Sequence, residues 1–248
     1  MKFQLGGSVT HRTSDALGDI VVMDYRKHRV LTFDTIFEQS KIDRNKPYLP
    51  VHEYNRAMLL PIAFAEPRHA TVLGLGGGTM VNALHHLLPA CEIHAVELRQ
   101  AVVDVAHAYF GLPHHPNIAV TVADARPVLH DMPEASTDLI MADLYSADRM
   151  SPAQGHRRFI DLCALALSDH GWLALNFHLA PSREGTMMQH IHRLFADVML
   201  YRTKTNNYVL YASKRALHGD MPGATRLATL EQRLPIGWPQ LIGKVWAA

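Results

Sequence analysis

The stretch "ATVLGLGGGTMVNALHHLL", residues 70–88, decides how the chain is read. Residues 70–74 are apolar or small and lead into Gly74, Gly76, Gly77 and Gly78, and an amphipathic run follows. The pattern predicts a strand, a glycine turn and a helix. A turn of this kind brings backbone close to a ligand, and the helix N-terminus adds partial positive charge. A dinucleotide loop needs G-x-G-x-x-G, but Thr79 stands where the third glycine belongs. No Gly-Lys-Ser/Thr follows, so a Walker loop is excluded. An adenosyl group without phosphates fits better.

Downstream, strands are expected at 70–74, 91–97, 118–123, 138–143 and 172–178, with helices near 79–88, 100–110, 125–131 and 153–168. A helix at 185–196 and two strands near 197–203 and 207–213 follow. This alternation predicts an α/β fold: a Rossmann-like, mostly parallel sheet with a final antiparallel strand. Ligands of such sheets sit at the carboxyl ends of the strands. Three acids close strands there. Glu97 lies 23 residues after Gly74, where an acid accepts from ribose hydroxyls. Asp124 ends the third strand, where an acid can meet an adenine amino group or simply cap a helix. Asp143 ends the fourth and points into the crevice.

Upstream, residues 19–34 read as a hairpin around "RKH", "TIFEQS" as a third extended run, and "KIDRNKPYLP" as a loop punctuated by Pro47 and Pro50. Residues 52–65 read as a helix with Met58, Leu59 and Ile62 on one face. The expected division is a small N-terminal β-hairpin domain, 1–50, and a Rossmann-like domain, 51–248.

The chain has 248 residues, 48% of them hydrophobic, and a net charge of +1. There is no basic stripe for nucleic acid and no apolar run long enough for a bilayer. No signal-peptide core opens the chain, and Cys91 and Cys163 sit apart in apolar segments, so a cytoplasmic protein with reduced cysteines is expected. Seventeen histidines are present, but adjacent pairs on a helix diverge. His52-Glu53 lacks the second histidine of a zincin motif, with Arg56 in its place. No metal is expected.

In order and spacing, "HEYNRAML", "GLGGGT", "AVELRQAVVDVAHAYF", "ADARPVL" and "DLIMADLYSADRMSP" resemble the spermidine synthase family, in its divergent bacterial spermidine-synthase-like branch. The resemblance runs from about residue 20 to 213. It implies aminopropyl transfer from decarboxylated S-adenosylmethionine to a small amine acceptor, by a homodimer. In those terms Gly74, Gly76, Gly77 and Gly78 form the cofactor turn and Glu97 binds ribose. Asp124, with Ala125 beside it, meets adenine, and Gln39 contacts the ligand's tail. Asp143 aligns with the catalytic aspartate, and His52, Thr79 and Tyr145 fall on the substrate side. The departures are specific. Family members read G-G-G-D-G-G, and here Thr79 replaces the aspartate and Met80-Val81 the last two glycines. The second acid of D-S-S/T-D-P is missing, with Ser146 in its place, and the tyrosine of Tyr-His-Glu is Val51. An acid at position 79 repels a donor carboxylate, whereas Thr79 does not, which keeps an S-adenosylmethionine-dependent methyltransferase as the alternative. A non-catalytic adenosyl-binding or partner-binding protein is the third possibility.

Overall fold

The computed structural model describes residues 6–33, 38–144 and 156–248. Two sheets organise them. The first is an antiparallel meander of β1 (Ser8–Asp15), β2 (Gly18–Asp24), β3 (His28–Thr32), β4 (Glu38–Asp43) and β5 (Lys46–Pro50), paired in sequence order. Its β2–β3 hairpin is the one expected. Residues 41–50 are a correction, because they form most of a second hairpin, β4–β5, rather than a loop. Pro47 and Pro50 are tolerated because β5 is an edge strand, where a missing N–H breaks no ladder. Strand β1 was unexpected; its mostly exposed residues carry no apolar alternation.

The segment 52–65 is two short helices, α1 (Glu53–Met58) and α2 (Pro61–Phe64), the second opening on a proline at its first turn. Then come β6 (His69–Leu73), α3 (Thr79–Leu87), β7 (Glu92–Glu97), α4 (Gln100–Tyr109), β8 (Ile118–Val122), α5 (Ala125–Asp131) and β9 (Thr137–Ala142). They are followed by α6 (Arg157–Ala166), β10 (Leu167–Phe177), α7 (Thr186–Leu194), β11 (Asp197–Arg202) and β12 (Tyr208–Ser213). The chain closes with α8 (Ala224–Arg233), α9 (Trp238–Ile242) and β13 (Trp246–Ala247). Strand β10 begins five residues earlier than expected, directly after α6.

The large sheet has the order β13-β11-β12-β10-β9-β6-β7-β8. Strands β8, β7, β6, β9 and β10 are parallel, and β12 runs antiparallel to β10 and β11. This is the Rossmann-like sheet that the alternation predicted. Along β6, β9 and β10 the side chains alternate between two cores. Val72, Met141 and Ala174 face one, with α3 and α8. Leu73, Ile140 and Leu175 face the other, with α5, α6 and α7. Both faces are covered, so these strands are apolar nearly throughout. A third core joins the two sheets: Ile20, Val22, Leu31 and Ile42 pack on Val102, Val105 and Phe110 at α4. It seats the meander over the carboxyl end of β7, and the site lies there.

Candidate active site

At the carboxyl ends of β6, β7, β9 and β10 the structure opens a cleft of about 1090 Å³. Its wall brings together most residues singled out in the sequence: Gln39, His52, Gly74, Gly76, Thr79, Glu97, Asp124, Ala125 and Asp143. Gly77 and Gly78 complete the turn behind that wall. Tyr145 lies outside the described residues.

The glycine turn is built by necessity. Gly74, Gly76 and Gly78 have φ of +90°, +51° and +74°, a region costly for other residues. At Gly74 a side chain would also run into the carbonyl of Asp143. That contact follows from the ladder, since Asp143 N donates to Leu73 O at 2.9 Å and Gly74 N to Val96 O at 2.9 Å.

Glu97 holds this turn. One carboxylate oxygen accepts from Leu75 N at 3.1 Å and Gly76 N at 3.3 Å, and the other accepts from Arg99 N at 3.1 Å. The side chain is 9% exposed. Burial raises its pKa, and the backbone N–H groups pull it back. Glu97 therefore sits where a ribose acceptor was expected and also organises the loop beneath it.

Two residues that the sequence reading missed tie the meander to this point. Ser40, on β4, accepts a hydrogen bond from Gly77 N at 2.8 Å. Arg99, only 7% exposed, forks onto Asp15 with bonds of 2.8 and 2.9 Å and donates to Gly18 O at 2.6 Å. Its guanidinium also stacks over Phe33. The bidentate pair holds the Asp15 carboxyl below its usual range. Both partners of each link are far apart in sequence, so no local motif announces them.

Asp124 caps α5, accepting from Arg126 N at 2.9 Å, and its carboxylate pairs with the Arg126 guanidinium at 2.6 Å. That side-chain hydrogen bond lowers its pKa. The capping role weighed in the sequence is present, and the residue still borders the cleft.

Asp143 stands just past β9. In the β9–β10 register Ala142 faces Leu175, so Asp143 and Asn176 are the next positions along the two strands. Asn176 Nδ2 donates to Asp143 Oδ1 at 2.8 Å, and Asn207 Nδ2 donates to Asn176 Oδ1 at 3.1 Å. A hydrogen bond from Tyr54 also reaches Asp143. Burial pushes the Asp143 carboxyl up to about 6, against the opposing pull of Asn176 and Tyr54. Asn176 has a sequence signal after all, as the one polar residue in "WLALNF" at a strand's carboxyl end.

His52 lies nearby, stacked on Tyr54 with ring centroids 5.7 Å apart. Its Nε2 is buried and makes no hydrogen bond among the described residues, lying 3.8 Å from Glu38. Burial lowers its pKa, so the neutral ring is favoured. Glu38 is itself neutralised by Lys41 at 3.1 Å.

Chemically, the arrangement offers the Glu97 carboxylate and the glycine turn at one end. At the other it offers a carboxylate able to take a proton near neutral pH. Among the described residues, no group of three or more His, Cys, Asp or Glu could hold a metal ion.

No family model matches the chain. It is 26% identical over 183 residues to a polyamine aminopropyltransferase of Chromobacterium violaceum, a match covering 73% of this chain and 70% of that protein. It is 27% identical over 170 residues to a polyamine aminopropyltransferase of Neisseria meningitidis, covering 67% of this chain and 64%, under two thirds, of that one. In structure it resembles a probable spermidine synthase from Corynebacterium glutamicum, with a TM-score of 0.76 at 18% identity, over 93% of this chain and 87% of that one. A spermidine synthase in complex with the transition state analogue AdoDATO follows at 0.68 and 12% identity, over 92% and 88%. Human methyltransferase-like protein 13 in complex with SAH superimposes at 0.60 and 21% identity, over 78% and 93%. In sequence the chain is thus similar to polyamine aminopropyltransferases, and in fold to spermidine synthases.

Proposed function

We propose that this chain transfers an aminopropyl-type group from an adenosyl sulfonium to a small amine acceptor. The observation that carries the reading is Asp143. It is a carboxylate held by Asn176 and Tyr54, raised to about 6, in the same cleft as the glycine turn and Glu97. Glu97 and the turn would take the adenosyl group, with Asp124 and Ala125 beside its base and Gln39 near its tail. An amine is mostly protonated at neutral pH and must lose a proton before it can attack. A carboxylate with a raised pKa is a better matched base than an ordinary one. The amine nitrogen then attacks the methylene next to sulfur, the carbon–sulfur bond breaks, its electron pair stays on sulfur, and methylthioadenosine leaves. Holding the two reactants in line supplies much of the remaining acceleration. His52 and Thr79 border the acceptor and tail, and Tyr145 follows from the resemblance alone. No metal enters this chemistry.

The resemblance to the family adds a homodimer to this reading, and the sequence adds a cytoplasmic location and a division into 1–50 and 51–248. Thr79 favours a second reading, methyl transfer from S-adenosylmethionine, because no acid stands there to exclude a carboxylate. The test is turnover of both sulfonium donors against a panel of amines, with methylthioadenosine and adenosylhomocysteine followed together. Methylthioadenosine formed only when an amine is present supports aminopropyl-type transfer. Adenosylhomocysteine as the product moves the assignment to methyl transfer.

A further inference from the structure

The end of the cleft at α3 presents the amides of a helix N-terminus and no acid in its first turn. The first turn of this nine-residue helix contains no acid, and its N-cap, Gly78, provides no side chain to cap it. Gly78 N bonds back to Leu75 O, and within the helix the first N–H to find a carbonyl is that of Asn82, which bonds Gly78 O. The amides of Thr79, Met80 and Val81 precede it and have no acceptor within the helix. Together with the aligned peptide dipoles they place roughly half a positive charge at this end.

A second observation is independent of the helix. Thr79 is 4% exposed and lines the cleft, and its buried hydroxyl makes no hydrogen bond among the described residues. A buried hydroxyl without a partner is costly, and a ligand oxygen would relieve it. Two neighbouring acceptors are already engaged: Ser40 by Gly77, and Glu97 by Leu75, Gly76 and Arg99. An ammonium finds no carboxylate at Thr79; a carboxylate finds a hydroxyl and helix amides.

We infer that Thr79 and the N-terminus of α3 hold the α-carboxylate of the donor, which is therefore intact S-adenosylmethionine and not its decarboxylated form. The inference rests on the adenosyl-sulfonium reading above. With attack at the methylene next to sulfur, the chain that moves keeps its carboxylate and becomes a 3-amino-3-carboxypropyl group on the acceptor nitrogen. The carbon–sulfur bond supplies its electron pair to sulfur, and the acceptor's proton passes to Asp143.

The experiment is calorimetry of the full chain with methylthioadenosine, S-adenosylmethionine and decarboxylated S-adenosylmethionine, repeated on Thr79→Val and Thr79→Asp. Methylthioadenosine lacks the tail, so its affinity reports the adenosyl site and folding alone. The expected result is that wild type prefers S-adenosylmethionine to the decarboxylated donor by about tenfold, or 1.4 kcal/mol. Thr79→Val should narrow that ratio and Thr79→Asp should invert it, with methylthioadenosine bound as by wild type. Equal or tighter binding of the decarboxylated donor by wild type overturns the carboxylate site and leaves the adenosyl reading standing. A ratio unmoved by Thr79→Val overturns the role of Thr79. Binding of none of the three overturns both. If Thr79→Asp does not fold, the wild-type ratio and Thr79→Val still decide.

Discussion

The side-chain amide of Asn176 donates to Asp143 at 2.8 Å, across two adjacent parallel strands, and is itself fixed from behind by Asn207. The relay leaves Asp143 one defined orientation at the cleft. It also stabilises the ionised form that burial opposes.

The pH dependence follows from that balance. Activity should rise as pH climbs through about 6, where Asp143 ionises in the free protein. Asn176→Ala removes a group that lowers the pKa, so the rising limb should move to higher pH. A role in packing alone would lower turnover without moving the limb, and a pH series of kcat/KM separates the two.

Asp143→Asn should cut turnover by about 10²–10⁴-fold, the usual contribution of a positioned acid or base. Its effect on stability has the opposite sign. The folded pKa lies above the ordinary 3.8, so the stability linked to Asp143 is full at low pH and is lost as pH rises through about 6. Removing the charge should therefore stabilise the fold at pH 8, by about 3 kcal/mol at most. Thermal melts at pH 4 and pH 8 check this, with a gain expected only at the higher pH.

Glu97→Ala should weaken methylthioadenosine binding by about 1.5–3 kcal/mol, the range for hydrogen bonds to a charged group. It also frees the amides of Leu75, Gly76 and Arg99, so the melting temperature should fall with the affinity. Calorimetry beside a melt reads both, and unchanged affinity would remove Glu97 from the site.

Arg99→Met should unfasten the β1–β2 hairpin from the end of β7, at a cost of about 2 kcal/mol. The partner, Asp15, has a depressed pKa, so its contribution is present above an ordinary aspartate's 3.8 and is lost as pH falls through the folded value. The difference between wild type and variant, measured by urea melts, should shrink on acidification.

Much of this site was legible from residues 70 to 143. A glycine turn and acids closing successive strands are local patterns, and the parallel sheet gathers strand ends automatically. Ser40 and Arg99 were not legible, because their partners sit 37 and 84 residues away and depend on how the meander docks. The β4–β5 hairpin was hidden by two prolines that only an edge strand accommodates. Asp124 shows the limit from the other side: the same residue satisfies a helix cap and a place on the cleft wall, and sequence alone cannot separate them.

The bond from Gly77 N–H to Ser40 carries one more consequence. The acceptor belongs to one sheet and the donor to the turn of the other. The rate at which that single amide exchanges with deuterium therefore reports how often the meander lifts from the turn. Slowing of this exchange on ligand binding, with no change at the amides of β1, would measure the clamp directly and without any mutation.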